Sequence, residues 1–193
     1  EVIIKSAVTY DISTITSYAF STENWNRPDE EIKGLMDLFS ESITNQTNKL
    51  IENNIRVRVI GDIKIFSKEL RTKIKYLENK TSKNNGLTLN LALNYGARSE
   101  ILMAVNKFYK DSELRKVPML EKDLNDNLYT KEMPEVDLLI RTGGQRRLSN
   151  FLLWQVAYSE LYFTDTLWPD FSEKDFVNAL YFFQNTERKF GNL

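Results

Sequence analysis

The chain has 193 residues, with 26 Lys plus Arg against 27 Asp plus Glu, and is 41% apolar with 11 Phe, 9 Tyr and 3 Trp. A near-neutral chain of this size predicts a single domain over residues 1–193 that buries roughly 70% of its unfolded surface, and its charge excludes nucleic-acid binding by bulk attraction. With neither Cys nor His, it cannot build a disulfide framework, a thiolate or imidazole metal site, or a Ser-His-Asp or Cys-His catalytic group; any metal sits on oxygen, which favours Mg²⁺.

In chain order, a helix is predicted over residues 1–9 and a strand over Ser13–Phe20, whose Thr, Ile and Tyr residues favour extended backbone. A polar loop follows. The next helix opens with Pro28 in its first turn and Asp29, Glu30 and Glu31 at its positive dipole end. Ile32, Leu35, Met36, Phe39, Ile43 and Leu50 fall on one face of it. A strand at Ile55–Ile60, a turn at Gly61-Asp62, a Lys-rich helix over Ser67–Lys80 and a strand at Leu87–Leu93 continue the alternation. Helices are predicted over Ser99–Tyr109, Glu121–Asn127, Asn150–Tyr158 and Glu173–Lys189, and extended segments at Val136–Arg141 and Glu160–Thr164. Strands separated by such helices imply an α/β fold, a mostly parallel central sheet with helices on both faces and ligands at the carboxyl ends of the strands.

No apolar run exceeds five residues, far short of a bilayer span, and no basic segment leads into an apolar stretch as in a secretory leader. The missing cysteines fit a cytoplasmic setting.

Two polar loops follow predicted strands. Between Asp137 and Glu160 there is no acidic residue, while Arg141, Arg146 and Arg147 surround Gly143-Gly144 and precede Ser149. Glycines let backbone N–H groups approach an anion, and guanidinium forks match phosphate oxygens. The same residues also read as a tight strand-to-helix turn with Ser149 as N-cap and solvated arginines, and local pattern leaves both readings open. In the other loop, Ser21, Thr22, Glu23, Asn24, Trp25, Asn26 and Arg27 are either turn residues ahead of a helix or a ligand wall, and Trp25 tips the balance towards a wall. Glu160, set in an aliphatic and aromatic run, requires a partner if buried, either an arginine or Mg²⁺.

Four runs in register, YAFSTENWNRPDEEI (18–32), LTLNLALNYGARSEI (87–101), DLLIRTGGQRRLSNFLLWQVAYSELYFTDTLWPDF (137–171) and the terminal ERKFG (187–191), resemble the cis-prenyltransferases over essentially the whole chain. The resemblance implies a parallel sheet and helices around a hydrophobic tunnel, usually in a homodimer. It implies condensation of isopentenyl diphosphate onto an allylic primer such as farnesyl diphosphate, giving a long undecaprenyl-type diphosphate for cell-wall or glycan assembly, with peripheral membrane contact through the lipid product. By motif, Arg141, Arg147, Leu148 and Ser149 take the place of the residues that bind isopentenyl diphosphate, and Glu160 that of the magnesium ligand. Ser21, Thr22, Glu23, Trp25 and Arg27 match the loop that contacts substrate, and Asn24 matches the position assigned to proton acceptance. An amide is a very weak base, so orienting the reactants suits Asn24 better. Leu35, Met36 and Phe39 become candidates for touching the growing chain.

The resemblance also implies a strand and an Asp-Gly-Asn loop ahead of the first helix, which residues 1–193 do not include. Gln145 and Arg146 stand where the family commonly has Glu and His. Two functions follow from this pattern: an active synthase, or a non-catalytic prenyltransferase-like subunit or relic that supports a dimer partner.

Overall fold

The computed structural model describes residues 1–110 and 116–188. The chain folds as α1 (Val2–Thr9), β1 (Thr14–Ser21), α2 (Asp29–Glu52), β2 (Arg56–Ile60), α3 (Lys68–Thr81), β3 (Thr88–Tyr95), α4 (Ala97–Phe108), α5 (Glu121–Asn127), β4 (Leu138–Arg141), β5 (Glu160–Phe163) and α6 (Glu173–Gln184). Every ladder is parallel, as the alternation of helix and strand predicts. The strands form two sheets, β1-β3-β2 and β4-β5, where the sequence predicts one.

Strand β3 is the centre of the larger sheet, and its side chains divide the core. Leu93 joins Phe20, Val57, Ile74 and Leu77 under α2 and α3, whereas Ala92 joins Ile60, Tyr95, Leu139 and Leu152 on the other side. Leu89 packs with Ala7 of α1 and Phe176 of α6. The outer edge of β2 is closed by α3: Thr81 Oγ1 accepts the Val57 N–H at 3.0 Å and a Glu78 carboxylate oxygen accepts the Val59 N–H at 2.9 Å. An edge whose donors are already paired offers no template to another strand.

Strands β1 and β4 flank a cavity of about 1000 Å³ that runs from Thr14 to Ala19 on one wall and from Leu138 to Arg141 on the other. Among the described residues, neither strand has a second pairing partner on the side facing it.

Two predicted helices differ from the structure. Asn150–Tyr158 is a succession of turns, because Ser149, Asn150 and Leu152 take left-handed backbone (φ 49°, 63° and 46°) that a right-handed helix cannot include. The last helix ends at Gln184, where Asn185 Nδ2 and Thr186 Oγ1 turn back to the Tyr181 and Phe182 carbonyls and close its final turn. Lys189, the predicted end of that helix, and the rest of the terminal Lys189-Phe190-Gly191 lie outside the described residues.

Candidate active site

The segments after β1, β3 and β4 meet at one end of the molecule, the carboxyl edge where an α/β sheet gathers ligands. After β1 the chain turns once as a 3₁₀ segment over Thr22–Asn26. Asn24 Oδ1 accepts the Ser21 N–H at 2.8 Å, so the amide oxygen secures the turn. Trp25 lies edge-on to Phe20, with centroids 5.2 Å apart, and its Nε1–H donates to Asn94 Oδ1 at 2.8 Å, which fixes the indole on the core at the end of β3. Arg27 pairs with Glu31 in the first turn of α2, both side chains half exposed.

After β4, Arg141 Nη1 donates to Ser149 Oγ at 2.8 Å and to the Arg147 carbonyl, folding the loop around its own guanidinium. Arg147 donates to Gln145 Oε1 at 2.5 Å. Burial first, and the nearby Arg147 charge second, lower the proton affinity of Arg141. The loop glycines serve differently from the sequence expectation. Gly143 and Gly144, both at positive φ, donate their N–H groups to the Thr166 and Thr164 carbonyls, each at 2.9 Å, and thus extend the pairing with the segment after β5 rather than facing an anion. Ser149, readable locally as a helix cap or an anion partner, takes left-handed backbone and holds Arg141. Leu148 packs against the Ile60, Ala92 and Tyr95 cluster.

The two loops are joined directly. Asn150 Nδ2 donates to Glu23 Oε1 at 2.8 Å, across 127 positions of sequence. Phe151 stacks on Tyr18 of β1, with centroids 4.4 Å apart. Thr22 Oγ1 donates to the other Glu23 oxygen at 3.1 Å. Burial pushes the Glu23 carboxyl up, but hydrogen bonds from Asn150, its own backbone, Ser21 and Thr22 outweigh this and hold it below the ordinary value. Asn150 carries no signal in the local sequence except an amide flanked by a hydroxyl and a ring, and it enters the site only through the fold.

Glu160 is not part of this gathering. It pairs with Leu138 at the start of the β4-β5 ladder, while Arg141 pairs with Phe163 at its end. That separates them by about 10 Å along the strand, at ~3.3 Å per residue. The Glu160 N–H bonds the carbonyl of Asp137, whose carboxylate pairs with Arg188 at 2.7 Å. Among the described residues no three carboxylates cluster as a metal site. Among the described residues, Glu160 therefore stands apart from the Arg141–Ser149 loop.

Comparison with known proteins agrees with the geometry. Residues 1–191 match the prenyltransferase family described as undecaprenyl diphosphate synthase. The chain is 47% identical over 191 residues to the ditrans,polycis-undecaprenyl-diphosphate synthase ((2E,6E)-farnesyl-diphosphate specific) of Salmonella paratyphi A, covering 97% of this chain and 76% of the relative. Its fold matches a probable undecaprenyl diphosphate synthase from Campylobacter jejuni (TM-score 0.89, 38% identity, 98% of this chain and 88% of the other). It also matches lavandulyl diphosphate synthase from Lavandula x intermedia in complex with dimethylallyl diphosphate (TM-score 0.93, 33% identity, 99% and 84%). Matched from its first helix to its terminal basic segment, the chain belongs to the undecaprenyl diphosphate synthase family of prenyltransferases.

Proposed function

We propose that this chain elongates a cis-polyprenyl diphosphate, condensing isopentenyl diphosphate onto farnesyl diphosphate to give an undecaprenyl-type product. The observation that carries the reading is the Arg141–Ser149 loop, an arginine-rich turn without a carboxylate of its own, fastened to the Glu23 segment at the sheet edge. Arg141, Arg147 and Ser149 bind the diphosphate of isopentenyl diphosphate through charge-assisted hydrogen bonds.

Breaking the allylic C–O bond places negative charge on the departing diphosphate, and fixed donors aimed at that charge lower the barrier. The alkene of isopentenyl diphosphate attacks the allylic carbon, a C–C bond forms, and a diphosphate oxygen takes the proton lost from the neighbouring carbon. Asn24, its oxygen engaged by Ser21, orients the reactants through its amide N–H₂ rather than taking the proton. The half-buried apolar side chains of α2, among them Leu35, Met36 and Phe39, supply the water-free surface that protects a developing cation and houses hydrocarbon.

Magnesium, which the family resemblance implies, supplies charge neutralisation of diphosphate when bound; of the residues in this chain, those at the loop edge bind and orient the substrate. Residues 1–193 are read as one domain of a homodimer, placed in the cytoplasm with peripheral contact through the lipid product. Among the described residues no helix is long and apolar enough to cross a membrane.

The test is incorporation of radiolabelled isopentenyl diphosphate into butanol-soluble product by the full-length protein, with farnesyl diphosphate and Mg²⁺. Incorporation beyond one condensation is the expected result. Its complete absence would leave the non-catalytic subunit as the reading.

A further inference from the structure

The link between the two substrate loops is made by residues immediately next to those proposed to act on substrate. Glu23 precedes Asn24, and Asn150 follows Ser149. Asn150 is held in left-handed backbone (φ 63°), strained for most non-glycine residues but open to Asn when its side chain is hydrogen-bonded. Three such bonds surround it. Its carbonyl accepts the Ala97 N–H at 2.8 Å, its Oδ1 accepts the Arg98 N–H at 2.9 Å, and its Nδ2 donates to Glu23 at 2.8 Å.

The first-turn N–H groups of a helix have no partner within the helix, and Gly96, at the N-cap of α4, has no side chain to offer them. Asn150 caps α4 from a distant segment and uses the remaining face of its amide to reach the β1 loop. Gly96 makes room for this: a Cβ there would stand 2.6 Å from Thr22 Oγ1 and 2.7 Å from Asn150 Nδ2.

We propose that Asn150 is a positioning residue, which clasps the Glu23–Asn24 turn to the Arg141–Ser149 loop on the fixed end of α4 and so sets the distance between the diphosphate-binding arginines and Asn24. The proposal rests on the prenyl-transfer reading above. In it Glu23 acts through Asn150 and not on the substrate.

The chemistry of the pair allows a test that separates positioning from folding. In Asn150→Asp the retained oxygen still accepts the Arg98 N–H, and the added negative charge is favourable at the α4 N-terminus, so the fold persists. The same charge faces the Glu23 carboxylate and breaks the clasp. In Asn150→Asp/Glu23→Gln the donor and acceptor exchange sides and the hydrogen bond returns.

Two readouts are taken on the full chain: kcat/KM for isopentenyl diphosphate in the incorporation assay, and pyrophosphate affinity by calorimetry, which needs no turnover. The expected result is a fall of at least tenfold in both for Asn150→Asp, with the melting temperature within about 3 °C of the parent and recovery to within about threefold in the double variant. An Asn150→Asp chain that matches the parent, or a loss that Glu23→Gln deepens instead of restoring, overturns the clasp. A parent chain that binds pyrophosphate but incorporates nothing defeats the synthase reading and leaves the clasp to be judged by affinity. A parent chain that does neither overturns both.

Discussion

The Tyr95 hydroxyl donates a 2.5 Å hydrogen bond to a Glu100 carboxylate oxygen, and both side chains are closed off from solvent. Gln155 Nε2 donates to the same oxygen at 3.0 Å, and the Tyr129 N–H donates to the other at 2.8 Å. One buried carboxylate thus joins the end of β3, α4, the segment after α5 and the turns that continue the Arg141–Ser149 loop. Burial first, and the Glu100 charge second, raise the Tyr95 phenol above its ordinary value, which favours the protonated, donating form.

Glu100→Ala leaves the three donors without their acceptor in the interior. At about 1–3 kcal/mol for each buried donor left unpaired, less what water recovers, the variant loses roughly 3 kcal/mol or more of stability. Urea denaturation followed by far-ultraviolet circular dichroism measures this; a loss below about 1 kcal/mol would mean the network contributes little.

Gly61 carries the second structural prediction. It turns the chain after β2 at φ 117°, and a Cβ would stand 2.1 Å from the Leu93 carbonyl oxygen. That separation is impossible without moving β3, whose next residue, Asn94, holds Trp25. Gly61→Ala is expected to cost at least about 2 kcal/mol, from backbone strain and displaced pairing together. The Trp25 contribution to tryptophan emission should shift red as its indole, bonded to Asn94 and tilted against Phe66, loses both contacts. An unchanged denaturation midpoint would contradict the close approach.

Much of this arrangement is legible in the chain, and the parts that are not share a cause. The start of α2 can be read from Pro28, Asp29, Glu30 and Glu31 because dipole and backbone preferences act within one turn. The β2, β3 and β4 segments follow from short apolar runs. The turns over 150–158 are not legible, since Phe151, Leu152, Leu153 and Val156 carry a helix-like spacing that gives way to bonds with Ala97, Arg98 and Glu23. Distant partners also decide the site. Composition places Arg141, Arg147 and Ser149 together, whereas the separation of Glu160 from Arg141 depends on parallel register, which a single strand cannot reveal.

Arg147→Ala tests the anion loop. Arg141 is fastened to the Arg147 carbonyl and to Ser149, neither of which the substitution removes, so the loop keeps its shape and loses one guanidinium. A charge-assisted hydrogen bond of about 1.5–3 kcal/mol corresponds to at least a tenfold rise in KM for isopentenyl diphosphate. The KM for farnesyl diphosphate should change much less. Equal increases for both substrates would mean that Arg147 serves general electrostatic attraction, and no increase would remove it from the site.

Alkaline titration probes the same end of the fold through Tyr18, whose hydroxyl donates to the Tyr95 carbonyl at 3.1 Å. Burial first, then the Glu23 charge, push its phenol from 10.0 up to about 12, against a smaller lowering by Ser21. The unfolded chain releases this proton near pH 10 while the folded chain retains it, so the unfolded state binds fewer protons and stability falls as pH rises. The contribution of Tyr18 is fully present below about pH 10 and is lost as pH climbs through about 12. Tyr95 and Tyr129, also raised chiefly by burial, add to the same limb. Urea midpoints measured at half-unit steps from pH 9 to 12 should decline across that window in the parent chain. They should decline less steeply in Tyr18→Phe, which starts from a lower midpoint because the bond to Tyr95 is gone. Parallel curves for the two chains would show that Tyr18 titrates as freely in the fold as in the unfolded chain, contrary to its stacking under Phe151.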